Sequence, residues 1–263
     1  MSLSNEEQVL LDQLLEKQRQ DNIDNPQKYA RGNKKLYVFK VLDASSSMGS
    51  FQDSTISTFN ESLDALKDAE AEVHVVRIDF AHSAKVVKSG NYKEVDHRLN
   101  SLNYRPSGMT AMYDGIGLAF QEADRLESDG DTSFLLEILT DGEENSSSRW
   151  TMLQVKREIE ARKRTGQWTV TVMGPKGSIN LFQNLGIEVG NIAQYNVNSE
   201  ASRKGVTRMM ASSARGFVQT LNASIGSVAV NSAYSSVAGT GGSAADVDSW
   251  LANVPQDNGG IGG

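Results

Sequence analysis

Cysteine is absent from the 263 residues, which removes disulfides, thiolate metal sites and cysteine nucleophiles together and makes the composition compatible with a reducing compartment. No segment reaches the roughly 18 consecutive apolar residues of a membrane span, and the opening residues lack the basic flank, apolar run and small-residue cleavage site of a secretory signal. The expected location is therefore the cytoplasm, or a particle assembled inside a cell. There is also no basic stripe. Formal net charge is -7 and the lysines and arginines are scattered, so neither nucleic acid nor an anionic membrane is an expected partner. Only 3 histidines occur, His74, His82 and His97, all before the later strands where a hydrolase's base would be expected, and each reads as strand or loop filler. Without Gly-x-Ser-x-Gly, Ser46 and Ser47 lack the context of a serine nucleophile.

What is present suits a sizeable globular α/β domain: 38% hydrophobic and 22% charged residues. Strand and helix signals alternate from residue 36. Apolar, β-branched runs predict strands at 36–42, 73–80, 133–140, 168–173 and 193–197, with a short antiparallel edge at 84–87. Helical spacing of apolar residues predicts helices at 55–66, 111–126, 152–163, 179–185 and 200–221. Repeated β-α units imply a Rossmann-like, doubly wound, mostly parallel sheet with helices on both faces.

Three parts are expected. In residues 1–35, Ser4 and Glu7 make a capping box before an amphipathic helix, followed by a polar connector. Residues 36–223 form the α/β domain. Residues 224–263, rich in Ser, Gly and Ala, are expected to be a mobile tail. Within that tail Val247, Trp250, Leu251 and Val254 share one face if 246–254 is helical, the pattern of a docking helix or of a tail folding back on its own domain.

The chemistry gathers in three separated loops. Asp43, Ser45 and Ser47 follow the first strand as Asp-x-Ser-x-Ser; Thr110 closes a turn through Gly108; Asp141 ends another strand before Gly142. In a parallel sheet, ligand sites form beyond the carboxyl ends of the strands. An all-oxygen set with no Cys and no nearby His suits a hard octahedral ion, Mg²⁺ or Mn²⁺, rather than zinc or copper. Asp114 is placed to meet the dipole of its helix or to orient a loop. Glu143 and Glu144 read as a solvated rim.

In order and strand context, these five residues resemble the metal-ion-dependent adhesion site (MIDAS) of von Willebrand factor type A (VWA) domains, over about residues 36–223. The stretch 107–116 is similar to the small-residue loop and following helix of bacterial members. The resemblance implies that Ser45, Ser47 and Thr110 touch the ion, that Asp43 and Asp141 act mainly through water, and that an open position accepts a carboxylate from a partner protein. It implies a non-catalytic adaptor of the intracellular bacterial or viral branch, working in a multi-protein assembly or with an AAA+ ATPase. The alternatives are a structural component of a large assembly, in which the ion only braces loops, and a metal-dependent hydrolase. The hydrolase reading is short of parts: Ser45 stands where a phosphate-transferring Asp-x-Asp would need its second carboxyl. Residues 174–178, Gly-Pro-Lys-Gly-Ser, have the wrong order for a phosphate loop and read as a turn with Ser178 as helix N-cap.

Overall fold

The computed structural model describes residues 34–253. The N-terminal capping box and helix, with nearly all of the connector, lie outside the described residues. The seven-stranded sheet has the order β3-β2-β1-β4-β5-β6-β7. Its strands are β1 (Lys35–Asp43), β2 (Glu72–Phe80), β3 (Ala84–Asn91), β4 (Thr132–Leu139), β5 (Trp168–Pro175), β6 (Ile192–Tyr195) and β7 (Ala245–Asp246). All neighbours run parallel except β2 and β3. Among the described residues seven α-helices accompany them: α1 (Gln52–Asp64), α2 (Met112–Ala123), α3 (Met152–Lys163), α4 (Ile179–Asn184), α5 (Glu200–Ala223), α6 (Ala233–Ala238) and α7 (Val247–Asn253). This is the doubly wound α/β architecture that the strand and helix alternation implies.

Period-two alternation along the buried central strands builds two cores. From β1, Tyr37, Phe39 and Val41 enter the layer shared with α2, α3 and α4, whereas Leu36, Val38 and Leu42 enter the layer beneath α1 and α5. Lys40 falls on that second face. It pairs with Glu137, its cross-strand neighbour on β4, and with Ser62 of α1, and both charges are at most 4% exposed. A buried lysine and glutamate can stay ionised at such a depth only by answering each other.

Helix starts follow local chemistry. Thr151 accepts a bond from the Gln154 amide and Gln154 reaches back to Thr151, closing a capping box on α3; Ser199 caps α5 through the Ser202 amide. Ser178 precedes α4 but does not cap it. Its hydroxyl donates to the Pro175 carbonyl instead, at 2.6 Å, closing the turn.

The expected mobile tail is, through residue 253, part of the packed body. After α5 the chain crosses the amino ends of the strands. There the Val228 amide donates to Ser133 Oγ, the Val230 amide to Thr169 Oγ1 and the Ala233 amide to Asn191 Oδ1. It then buries Tyr234, adds β7 alongside β6 and lays α7 on α5. A Cβ on Gly205 of α5 would lie 2.6 Å from both Val247 and Leu251, so the bare glycine lets α7 approach. Of the helix expected at 246–254, residues Val247–Asn253 are helical and pack on α5, Asp246 belongs to β7, and residue 254 lies outside the described residues. Small polar residues did not preclude order, because widely spaced apolar anchors and borrowed side-chain partners satisfy the crossing backbone.

Candidate metal centre

β1 and β4 are adjacent parallel strands, so Asp43 and Asp141 emerge at the same lip of the sheet. Asp43 is fully buried. Its Oδ1 accepts the Ser45 amide at 2.9 Å and its Oδ2 the Thr140 hydroxyl at 2.7 Å, while Tyr104 donates to its backbone carbonyl. The Ser45 and Ser47 hydroxyls meet at 3.0 Å, not along the extended turn that their alternation implies but where extended Ser45 leads into a 3-10 turn over Ser46–Phe51. Ser45 is buried and Ser47 exposed, so the pair leads from the interior to solvent.

The three loops are joined pairwise. The first and second meet where the Ser46 amide donates to the Gly108 carbonyl at 3.0 Å and the Gly108 amide to Ser46 Oγ at 2.8 Å; Gly108 holds φ +85°, a turn that side chains resist. Second and third meet at Thr110, whose amide donates to Asn145 Oδ1 and whose carbonyl accepts the amides of Asn145 and Ser146. First and third meet through Thr140 and Asp43. Asp43, Ser45 and Ser47 are thus in direct contact and Asp141 lies within electrostatic reach of Asp43. Thr110, 2% exposed, is held by its backbone in the loop fastened to Ser46.

The electrostatics mark a site short of positive charge. Burial, with a smaller contribution from Asp141, pushes the Asp43 carboxyl up to about 6 despite its hydrogen bonds. Asp141 Oδ1 is buried with no hydrogen-bond partner. Neither carboxylate pairs with a Lys or Arg among the described residues. An orphaned anionic oxygen and two adjacent carboxylates fit a divalent cation, because it would offset both costs.

Several contributors lie outside the five residues. Thr140 carries the bond to Asp43 and also accepts the Gly142 amide at 3.0 Å; Tyr195 donates to the Thr140 carbonyl at 3.2 Å. A hydroxyl directly before Asp141 was visible in sequence, but which way it faces was not. Asp114 is more than a first-turn carboxylate: it accepts the backbone amides of Ser148, Arg149 and Trp150, clamping the third loop. Glu144 is not a solvated rim. It accepts the amides of Tyr113, Ser146 and Ser147, whereas Glu143 is exposed.

Among solved structures, the pilus adhesin SpaC from Lactobacillus rhamnosus GG superimposes with a TM-score of 0.54 at 15% identity, covering 73% of this chain and 31% of that one. The minor pilin PilB from Streptococcus sanguinis gives 0.50 at 13%, covering 73% and 63%. A von Willebrand factor type A protein from Catenulispora acidiphila gives 0.48 at 16%, covering 70% and 43%. This chain therefore spans less than two thirds of each. No family model and no curated protein matches the sequence. With its strand order and its loop cluster at the carboxyl edge, the chain shares the fold of these SpaC and PilB domains, the doubly wound α/β sheet that the resemblance to von Willebrand factor type A domains implies.

Proposed function

We propose that this domain is a non-catalytic, metal-dependent protein-binding module. Ser45, Ser47 and Thr110 hold Mg²⁺ or Mn²⁺, Asp43 and Asp141 balance its charge from behind, and the remaining position takes a carboxylate from a partner protein in a cytoplasmic assembly. The observation that carries the reading is the buried, unpartnered Oδ1 of Asp141 beside a second carboxylate, with no cationic side chain among the described residues to answer either. Three neutral hydroxyls leave an ion hungry for one more anionic oxygen, which favours capture of an acidic side chain over a closed structural cage. The absence of cysteine is in keeping with a reducing compartment.

The test is calorimetric titration of the full chain with Mg²⁺ and with Mn²⁺, followed by partner capture in Mg²⁺ against chelator. Binding of one ion, lost in S45A/S47A with the fold retained, is the expected result. No ion uptake by the folded wild type overturns the reading.

A further inference from the structure

A cleft of about 450 Å³ opens beside the candidate ion site, sharing Ser107 and Gly108 with its second loop. Its lining includes Lys85 of β3 and Arg105. Both are exposed, and neither forms an ion pair among the described residues. The acidic group in the wall, Asp79, is already answered: Arg77 binds it through two nitrogens, Nε at 2.8 Å to Oδ1 and a terminal nitrogen to Oδ2. Lys85 faces Asp79 across the β2–β3 register and shares that carboxylate with Arg77, so three cations stand against one anion and the cleft keeps a net positive charge on a chain of net charge -7. Leu102, 77% exposed, adds an apolar shoulder. On the third loop, which does not line the cleft, Glu143 is exposed and negative. The surroundings of the ion site are thus polarised, cationic toward the cleft and anionic toward Glu143.

We infer that this cleft is the second half of the partner-binding surface, taking an extended acidic peptide whose first carboxylate meets the ion and whose second meets Lys85 and Arg105. The inference rests on the adhesion reading above and adds what the partner carries and which way it runs. Arg105 precedes Thr110 by five residues along the loop, and an extended chain advances at most about 3.6 Å per residue. The second acid therefore falls within about five residues of the first. Lys85 and Arg105 line the cleft whereas exposed Glu143 does not, so the second acid is favoured on the cleft side, which fixes the direction.

The experiment is an NMR titration of the ¹⁵N-labelled full chain, saturated with Mg²⁺, using nine-residue Gly/Ser peptides that carry one Asp, or that Asp with a Glu two to five residues away on either side. The second acid is expected to tighten binding about three- to tenfold on one side only, the size of two exposed charge pairs, and the gain is expected to shrink between 50 and 300 mM NaCl. In K85E/R105E the gain disappears or reverses, while the single-Asp peptide still binds in Mg²⁺ and not in chelator. Equal affinities for one-acid and two-acid peptides, or a gain unchanged in K85E/R105E, overturn the cleft and leave the adhesion reading standing. No Mg²⁺-dependent binding of any peptide overturns both.

Discussion

The Thr140 hydroxyl donates to Oδ2 of Asp43 at 2.7 Å and simultaneously accepts the Gly142 amide, so one side chain ties the ends of β1 and β4 together and sets the turn that follows Asp141. Replacing Thr140 with Val keeps the shape and removes both bonds. Mg²⁺ affinity is expected to fall about 10- to 100-fold, as when a group orienting a metal ligand is lost, and stability by about 1–3 kcal/mol. Isothermal titration with a parallel urea melt separates the two effects; an unchanged ion affinity would count against Thr140 as an orienting group.

Asp43 makes stability depend on pH in the direction opposite to a salt-bridged carboxylate. Its carboxyl titrates at about 6 in the folded chain against an ordinary 3.8, so between those values the native state binds more protons than the unfolded one. Stability from this group is complete below about pH 4 and is lost as pH rises to about 6, a change of about 3 kcal/mol in metal-free protein. Chemical denaturation at pH 4 to 7 is expected to show this slope in wild type, to lose it in D43N, and to regain stability at pH 7 on adding Mg²⁺.

The Lys40–Glu137 pair is costly to break and cheap to replace. K40M or E137L alone leaves one buried charge unanswered, with an expected loss of about 3–5 kcal/mol; the K40M/E137L double variant is expected to lie near wild type or above it. Midpoints of urea unfolding for the three variants close the double-mutant cycle, and additive losses would argue against direct coupling.

Tyr234 is 1% exposed within the core under α5. Y234A is expected to cost about 3–5 kcal/mol, and a chain ending at residue 223 to lose cooperative unfolding or fall further in stability. K176A, which removes exposed pairs to Asp246 and Asp248, is expected to cost at most about 1 kcal/mol. Differential scanning calorimetry tests all three.

Asp114 accepts three consecutive backbone amides from 148–150. D114A is expected to release that loop, seen as faster hydrogen exchange at Ser148, Arg149 and Trp150 with the β-sheet amides still protected.

Sequence patterning carried the architecture because each central strand is a run of buried apolar residues and each helix repeats its apolar face; β1, β4 and β5 could hardly be anything else. The candidate residues were legible for a similar reason: Asp43, Ser45 and Ser47 lie within five positions and their turn geometry is local. What spacing could not reveal was pairing at a distance. Lys40 lies mid-strand in an apolar run, and only the register with β4 identifies Glu137 as its answer. Thr140 looks like a strand residue until Asp43 is placed opposite it. The segment after residue 223 hid its order because its anchors, Val228, Tyr234 and Val247, are far apart and borrow partners such as Ser133, Thr169 and Asn191 from elements distant in sequence.

The flanks of the sheet have a consequence for assembly. β7 contributes only two residues beyond β6, and β3 offers the opposite border with outward Lys85 and Lys88 and a register irregularity against β2. The β7 border is too short for strand addition, and the eight-residue β3 border is interrupted by its irregularity and by exposed lysines, which disfavours lateral polymerisation through the sheet. Copies of this domain brought together at high local concentration are therefore not expected to zip edge to edge through these two borders.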